Sequence, residues 1–243
     1  MKITVFLGVL IIFVNNALAQ AYISDGNSNW LTDKISNCTT YNDKPKVGET
    51  IRWYGACKNG LIEGYGRLEW YVDNKLTQVK IGENSAGKTE GRAKITTYNE
   101  SRIQWEYDGY FVNSLFDGLG HYRFPSGNTY TGEWSKGKPH GVGAFNFKSG
   151  GKFIGELVNN KRHGMGVEYE ESGKILKEGI WSEGNFLYSQ SVSKSLISRA
   201  SIIESELNIK KSTSKEHDLR WQKCKNLGLT EGTRDFQLCI KSM

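Results

Sequence analysis

The sequence predicts a mainly β protein: successive β-hairpins stacked into one ribbon, followed by a small C-terminal helical segment. Two observations carry this. Glycines recur in one frame, with steps of five, four and two residues, in Gly55, Gly60, Gly64, Gly66 and unchanged in Gly132, Gly137, Gly141, Gly143. Around them apolar and aromatic residues alternate with polar ones, the period of a strand. Gly82, Gly87, Gly91, Ala93 keep the frame with one change, as do Gly109, Ser114, Gly118, Gly120 and Gly155, Asn160, Gly164, Gly166, and Gly179, Gly184 form a truncated sixth copy. The first glycines are spaced 27, 27, 23, 23 and 24 residues apart, so the chain is an internal repeat.

Residues 1–19 read as a secretory signal segment. Lys2 supplies the positive start, Ile3 to Val14 the apolar core and Ala17-Leu18-Ala19 the small-x-small cleavage site. Cleavage after Ala19 leaves Gln20 first, with Ala21 the second choice. A membrane anchor needs about 20 apolar residues, and Asn15-Asn16 cuts this run short. An exported protein, periplasmic or secreted, is therefore expected. The net charge of +6 permits attraction to anionic surfaces. Acidic and basic residues alternate through the repeats without a like-charge block, which argues against a nucleic-acid partner.

Residues 20–49 are expected to form an N-terminal extension that caps the repeats. Residues 50–188 hold the hairpins. In the best-formed copy Tyr130, Gly132 and Trp134 alternate, Ser135 to Gly141 has turn chemistry, and Gly143, Phe145 and Phe147 resume the rhythm. Lys148 to Gly151 then turns the chain into the next copy. Two residues before each first glycine stand Trp53, Lys80, Tyr107, Tyr130, Phe153 and Lys177; two after stand Cys57, Asn84, Phe111, Trp134, Leu157 and Trp181. Alternation puts both columns on the glycine's own face. Copy two, with Lys80 and Asn84, fits worst and is expected to be distorted.

The run from Tyr130 to Gly143, Tyr-x-Gly-x-Trp with His140-Gly141-x-Gly143 after it, resembles the MORN repeat (membrane occupation and recognition nexus); Phe153 to Gly166 follows it with Phe, Leu and Asn for Tyr, Trp and Gly. The resemblance covers residues 50–188 and suggests an exported bacterial type. It implies an elongated, twisted, single-layer antiparallel sheet with a shallow aromatic groove, and membrane or protein association.

Residues 189–243 change grammar. Val192, Leu196, Ala200, Ile203 and Leu207 form a helical stripe. Residues 208–216 are expected to hinge into a second helix, Glu216 to Leu227, stopped by Gly228. A short third helix capped by Thr230 or Thr233 would carry Phe236, Leu238 and Ile240. The stripe can cover the open end of the sheet, pair with a partner helix or lie on a membrane; capping is favoured. Export makes disulfides the expected fate of Cys38, Cys57, Cys224 and Cys239. Of three connectivities the local one, Cys38–Cys57 with Cys224–Cys239, is favoured, the first pair tying the cap to the opening hairpin. The stretch Cys224 to Cys239, with Gly228-Leu229 and Gly232-Thr233 inside it, resembles short tails of exported bacterial proteins.

No cofactor or metal is expected. The cysteines lack ligand spacing, and Glu168, Glu170 and Glu171 lack that of a calcium loop. His140 and His163 share one turn column with Glu63, Glu90 and Asp117, unlike a catalytic base, and no nucleophile elbow accompanies them. His121 and His217 lie elsewhere. A non-enzymatic binding or scaffold protein is thus expected, presenting the sheet to a protein or cell-envelope partner. The alternative is a secreted factor that binds anionic phospholipid; a hydrolase is the third class. Trp53, Tyr107, Phe111, Tyr130, Trp134, Phe153 and Trp181 are the candidate groove residues, and they serve equally as the core of a one-layer sheet. Asn37-Cys38-Thr39 and Asn99-Glu100-Ser101 are glycan acceptors only in a eukaryotic source.

Overall fold

A computed structural model describes residues 28–229 together with Phe236 and Cys239, with the backbone alone for 209–218. The signal segment with its cleavage site, the side chain of His217 and most of the third helix (Thr230, Thr233, Leu238 and Ile240) lie outside the described residues.

β1 (Trp30–Thr32) and β2 (Thr39–Tyr41) form a short hairpin. β3 (Glu49–Lys58) and β4 (Leu61–Val72) open the repeat array. It continues through β5 (Lys75–Ser85), β6 (Lys88–Asn99), β7 (Arg102–Val112) and β8 (Leu115–Arg123). β9 (Thr129–Ser135), β10 (Lys138–Asn146), β11 (Lys152–Val158) and β12 (Lys161–Tyr169) follow. β13 (Ile175–Ser182), β14 (Asn185–Ser189) and helix α1 (Lys194–Asn226) come next. From β3 to β14 every strand pairs antiparallel with the next in sequence, giving one open sheet of 14 strands with the N-terminal hairpin joined through a parallel bridge, Thr39 to Leu61.

The glycine frame becomes a seam across the sheet. Gly66 faces Gly82, Ala93 faces both Gly82 and Gly109, Gly120 faces Gly109 and Gly132, and Gly143 and Gly166 continue it to Gly155 and Gly179. In four of the hairpins a ring lies across this seam. A Cβ on Gly109 or Gly120 would overlap Tyr107, on Gly132 or Gly143 Tyr130, on Gly155 or Gly166 Phe153, and on Gly55 or Gly66 Trp53. Beneath the rings the seam is therefore glycine, because the rings occupy the space a side chain would need.

Turns fix the register. Both central residues have positive φ in Asn59-Gly60, Ala86-Gly87, Asn113-Ser114, Lys136-Gly137, Asn159-Asn160 and Glu183-Gly184. That is the type I′ geometry whose twist matches the strands, and it explains why the second glycine column tolerates Asn and Ser. Each such turn also clasps the previous copy. The N–H groups of Gly87, Ser114, Gly137, Asn160 and Gly184 donate to the carbonyls of Ile62, Thr89, Phe116, Pro139 and Arg162, at 2.8–3.1 Å. The acids before the third glycines reinforce this: Glu63, Glu90 and Asp117 accept from the N–H of Ala86, Asn113 and Lys136 at 2.9, 2.9 and 3.1 Å.

Copy two is not distorted. β5 and β6 keep the register of the other hairpins, with the same bulge after the first glycine. The slim Lys80 replaces a ring, so the methyl of Ala93 fits where the other copies need glycine.

The hinge expected at 208–216 is absent, because α1 runs unbroken for 33 residues. No glycine or proline interrupts 194–226, and polar residues alone do not break a helix. Gly228, with φ +76°, ends it. α1 lies on a face of the sheet and not over its open end. Ala200, Ile203 and Leu207 are buried, α1 contacts β8 to β11, and Arg199 pairs with Glu133 at 3.0 Å. Glu133 alternates with Tyr130, Gly132 and Trp134, so the helix covers the face opposite the rings. At its far end Arg67 of β4 sits 5.5 Å from the Trp221 ring. A helix of this length spans about 50 Å, enough to recross about ten strands.

Cys38 and Cys57 form one disulfide, Cys224 and Cys239 the other. The first joins the β1–β2 hairpin to β3. There the buried Asp33 accepts the Trp53 N–H at 3.2 Å, and Leu31, Cys38, Ile51, Trp53, Ile62, Leu68 and Trp70 form a core of their own.

Gly120→Ala and Gly143→Ala each drive a methyl into a ring and are expected to cost about 2–4 kcal/mol. Ala93→Gly should cost only about 1 kcal/mol. Urea titration followed by tryptophan fluorescence measures all three, and equal losses would contradict the ring-over-seam packing.

Candidate functional site

The seven candidate groove residues do share one face, but as its floor. Trp53, Tyr107, Phe111, Tyr130, Trp134, Phe153 and Trp181 are between 0% and 6% exposed, so a ligand meets almost none of their surface. This corrects their assignment to a groove lining. Tyr107, Tyr130 and Phe153 press on the seam below and meet neighbouring rings edge-on: Tyr107 to Trp134 at 5.2 Å, Tyr130 to Trp134 at 5.3 Å, Phe153 to Trp181 at 5.4 Å. Their polar atoms are satisfied within the sheet. Trp53 Nε1, Tyr107 Oη and Tyr130 Oη donate to the carbonyls of Ala56, Tyr110 and Glu133, at 2.9, 3.0 and 2.9 Å. Burial pushes both tyrosine hydroxyls well above the ordinary phenol value.

A second layer lies on this floor. Trp105, Phe116, Tyr122, Phe124, Phe145, Phe147 and Phe186 are half-buried and packed against it. Phe116 stacks on Tyr107 at 3.7 Å, Tyr122 lies 5.5 Å from Trp105, and Tyr122 and Phe124 are 4.6 Å apart. These rings stay partly exposed. Their sequence mark is the period-two run after the fourth glycine: Tyr122 and Phe124 follow Gly120, and Phe145 and Phe147 follow Gly143.

Toward β4 the layer opens into a groove of about 760 Å³, walled by Tyr41, Trp70, Ile95, Trp105, Phe116 and Tyr122. Lys80 and Thr89 are at its base, and Asp43, Lys44, Lys46 and Glu49 stand along one side. Lys80 is 2% exposed. Its Nζ donates to Asn84 Oδ1 and Thr89 Oγ1, both at 2.6 Å, and lies 5.5 Å from the centre of the Trp70 ring. Desolvation by burial lowers its pKa to about 7.

Among the described residues the histidines lie apart from one another. His140 is exposed near the start of β10, and His163 occupies the same column in β12 of the next copy. His121 is on the opposite face, where its Nδ1 is 2.8 Å from Thr131 Oγ1 beside Leu207 and Glu204 of α1. Of the glutamate cluster, Glu168 pairs with Arg162 at 3.0 Å, while Glu171 is exposed.

The MORN repeat family matches this chain at residues 58–74, 107–129, 130–152 and 153–173. Four stretches thus match MORN repeats. Three of the matched units begin on a seam ring (Tyr107, Tyr130 or Phe153), and the unmatched stretch 75–106 is the copy that carries Lys80, Asn84 and Ala93. No curated protein matches the chain. MORN repeats are typically binding or scaffold modules and generally not catalysts, which is compatible with a non-catalytic role here. The two disulfides are consistent with export.

Lys80 titrates lower in the folded chain than its ordinary value of 10.5. Between about pH 7 and 10.5 the unfolded chain therefore holds more protons, and stability rises with pH. The expected gain from Lys80 is about 2 kcal/mol between about pH 7 and 9. Lys80→Met should abolish that gain and be the more stable protein at about pH 7. Urea unfolding of both proteins at the two pH values tests this; parallel pH dependence would refute it.

Proposed function

We propose that this chain is an exported, non-catalytic binding or scaffold protein whose MORN-repeat sheet meets a protein or cell-envelope partner. One observation carries the reading: α1 covers β8 to β11 on one face, while the half-buried aromatic layer on the other face has no element over it among the described residues. A contiguous apolar surface of that kind marks an interaction site. Aromatics supply most of the energy at such interfaces. Both disulfides suit an oxidising compartment.

Anionic phospholipid is the second reading, favoured by cations set among the rings. Arg162 lies 4.7 Å from both Phe153 and Trp181, and Lys177 5.7 Å from Phe186. Arg162 is already paired with Glu168, so less charge is free for lipid than the count of cations suggests.

Crosslinking in the native envelope followed by pull-down tests the first reading, with Trp105→Ser/Phe124→Ser/Phe147→Ser as the comparison. These side chains are half-buried, so the fold should survive, as circular dichroism can verify. Partner recovery is expected to fall at least about tenfold, equivalent to about 1.4 kcal/mol. An unchanged partner list would remove the aromatic face from the function. Flotation with liposomes separates the second reading: binding that requires acidic lipid and fades with salt would assign the face to a membrane.

A further inference from the structure

We propose that the groove above Lys80 is a binding site for a small organic carboxylate with an apolar body, whose carboxylate pairs with the Lys80 ammonium. The groove shares Trp105, Phe116 and Tyr122 with the aromatic layer of the scaffold reading, but the proposal turns on Lys80, so either can fail without the other.

Three features of the groove support this. Lys80 holds a position that a ring fills in Tyr107, Tyr130 and Phe153, and a ring there would bury more apolar surface without desolvating a charge. The ammonium has three N–H donors; two reach Asn84 and Thr89, and no carboxylate lies within 4.0 Å of it among the described residues. The acceptors are held in place: Asn84 Nδ2 donates to the carbonyls of Gly64 and Gly82 at 3.2 and 3.0 Å, which turns its oxygen toward Lys80. A buried cation fixed by neutral partners at the base of a cavity lacks a counter-ion, and an anionic ligand would supply one.

The walls specify the rest of the ligand. Trp70, Ile95, Trp105 and Phe116 are apolar, and 760 Å³ suits a small molecule. Glu49, the buried acid on the groove's side, is engaged by Asn42 Nδ2 at 2.6 Å and the Lys46 N–H at 3.4 Å. Asp43, Lys44 and Lys46 complete the charged groups there. Among the described residues Lys80 is the one buried cation at the base, so one carboxylate on an apolar chain or ring fits best.

Calorimetry on the disulfide-bonded protein tests this with three probes: decanoate, 4-phenylbutanoate, and a short peptide ending in tryptophan with a free C-terminus. Each is paired with its neutral amide. At least one acid should bind about tenfold or more tighter than its amide. Binding by the peptide alone would identify a chain terminus as the source of the carboxylate, and binding by the free acids a metabolite. Near pH 8.5, where most of Lys80 is neutral, binding should take up close to one proton, read from titrations in two buffers of different ionisation enthalpy. Lys80→Met should reduce the acid-to-amide preference to about one. Three outcomes would each overturn the proposal: no acid bound at about 1 mM, binding without proton uptake, or a preference that survives in Lys80→Met.

Discussion

A ring laid across facing glycines is the constraint on which the sheet depends. An open single-layer sheet has no second sheet to pack against, so its core must come from side chains folded flat onto their own strands. Trp53, Tyr107, Tyr130 and Phe153 can lie flat only because the backbone beneath them has no Cβ. The next ring closes the edge, as Trp134 does against both Tyr107 and Tyr130. The hydrogen bonds from Tyr107 and Tyr130 to carbonyls three residues on then fix each ring's tilt. At the turn end the type I′ residues reach back to the preceding copy. Stability is consequently a sum of nearest-neighbour terms, as in any solenoid, and a defect in one hairpin is felt mainly by its two neighbours.

Copy two shows how such a rule is changed without being broken. Removing the ring would leave a void over Gly82. The chain fills part of it with the Ala93 methyl and the rest with a polar triad of Lys80, Asn84 and Thr89. The three positions make sense only together: a ring at 80 would clash with Ala93, and an apolar residue at 84 or 89 would take away one of the ammonium's two acceptors. Coupled departures of this kind mark a site where function competes with packing.

Much of this was legible in the sequence. The glycine spacing gave hairpins and their order, because turn and seam each demand a residue type that little else satisfies. The aromatic columns predicted which rings share a face, but not their depth. Alternation separates two faces and says nothing about which of two rings on one face lies beneath the other. Tyr107 became the floor and Phe116 the cover, and only the stacking at 3.7 Å decides it. The helix misled for a different reason. The polar stretch 208–216 resembles a hinge by composition, yet Lys, Ser and Glu are compatible with helix once both flanks are anchored, by Leu207 on the sheet and by Trp221 near Arg67.

That anchoring also accounts for the asymmetry of the two faces. The grip of α1 on the sheet comes from Ala200, Ile203 and Leu207. The Arg199–Glu133 pair, with both side chains about a third exposed or more, adds no more than about 1 kcal/mol. Those apolar residues meet a face carrying Ile154, Val167 and Thr131, where small side chains let a helix approach. The ring face offers no such footing. Its second layer projects Trp105, Tyr122 and Phe147 above the floor, and a serine-rich helix could not cover so rough and aromatic a surface without leaving voids. Helix and rings therefore sort to opposite sides, and among the described residues no element lies over the ring side.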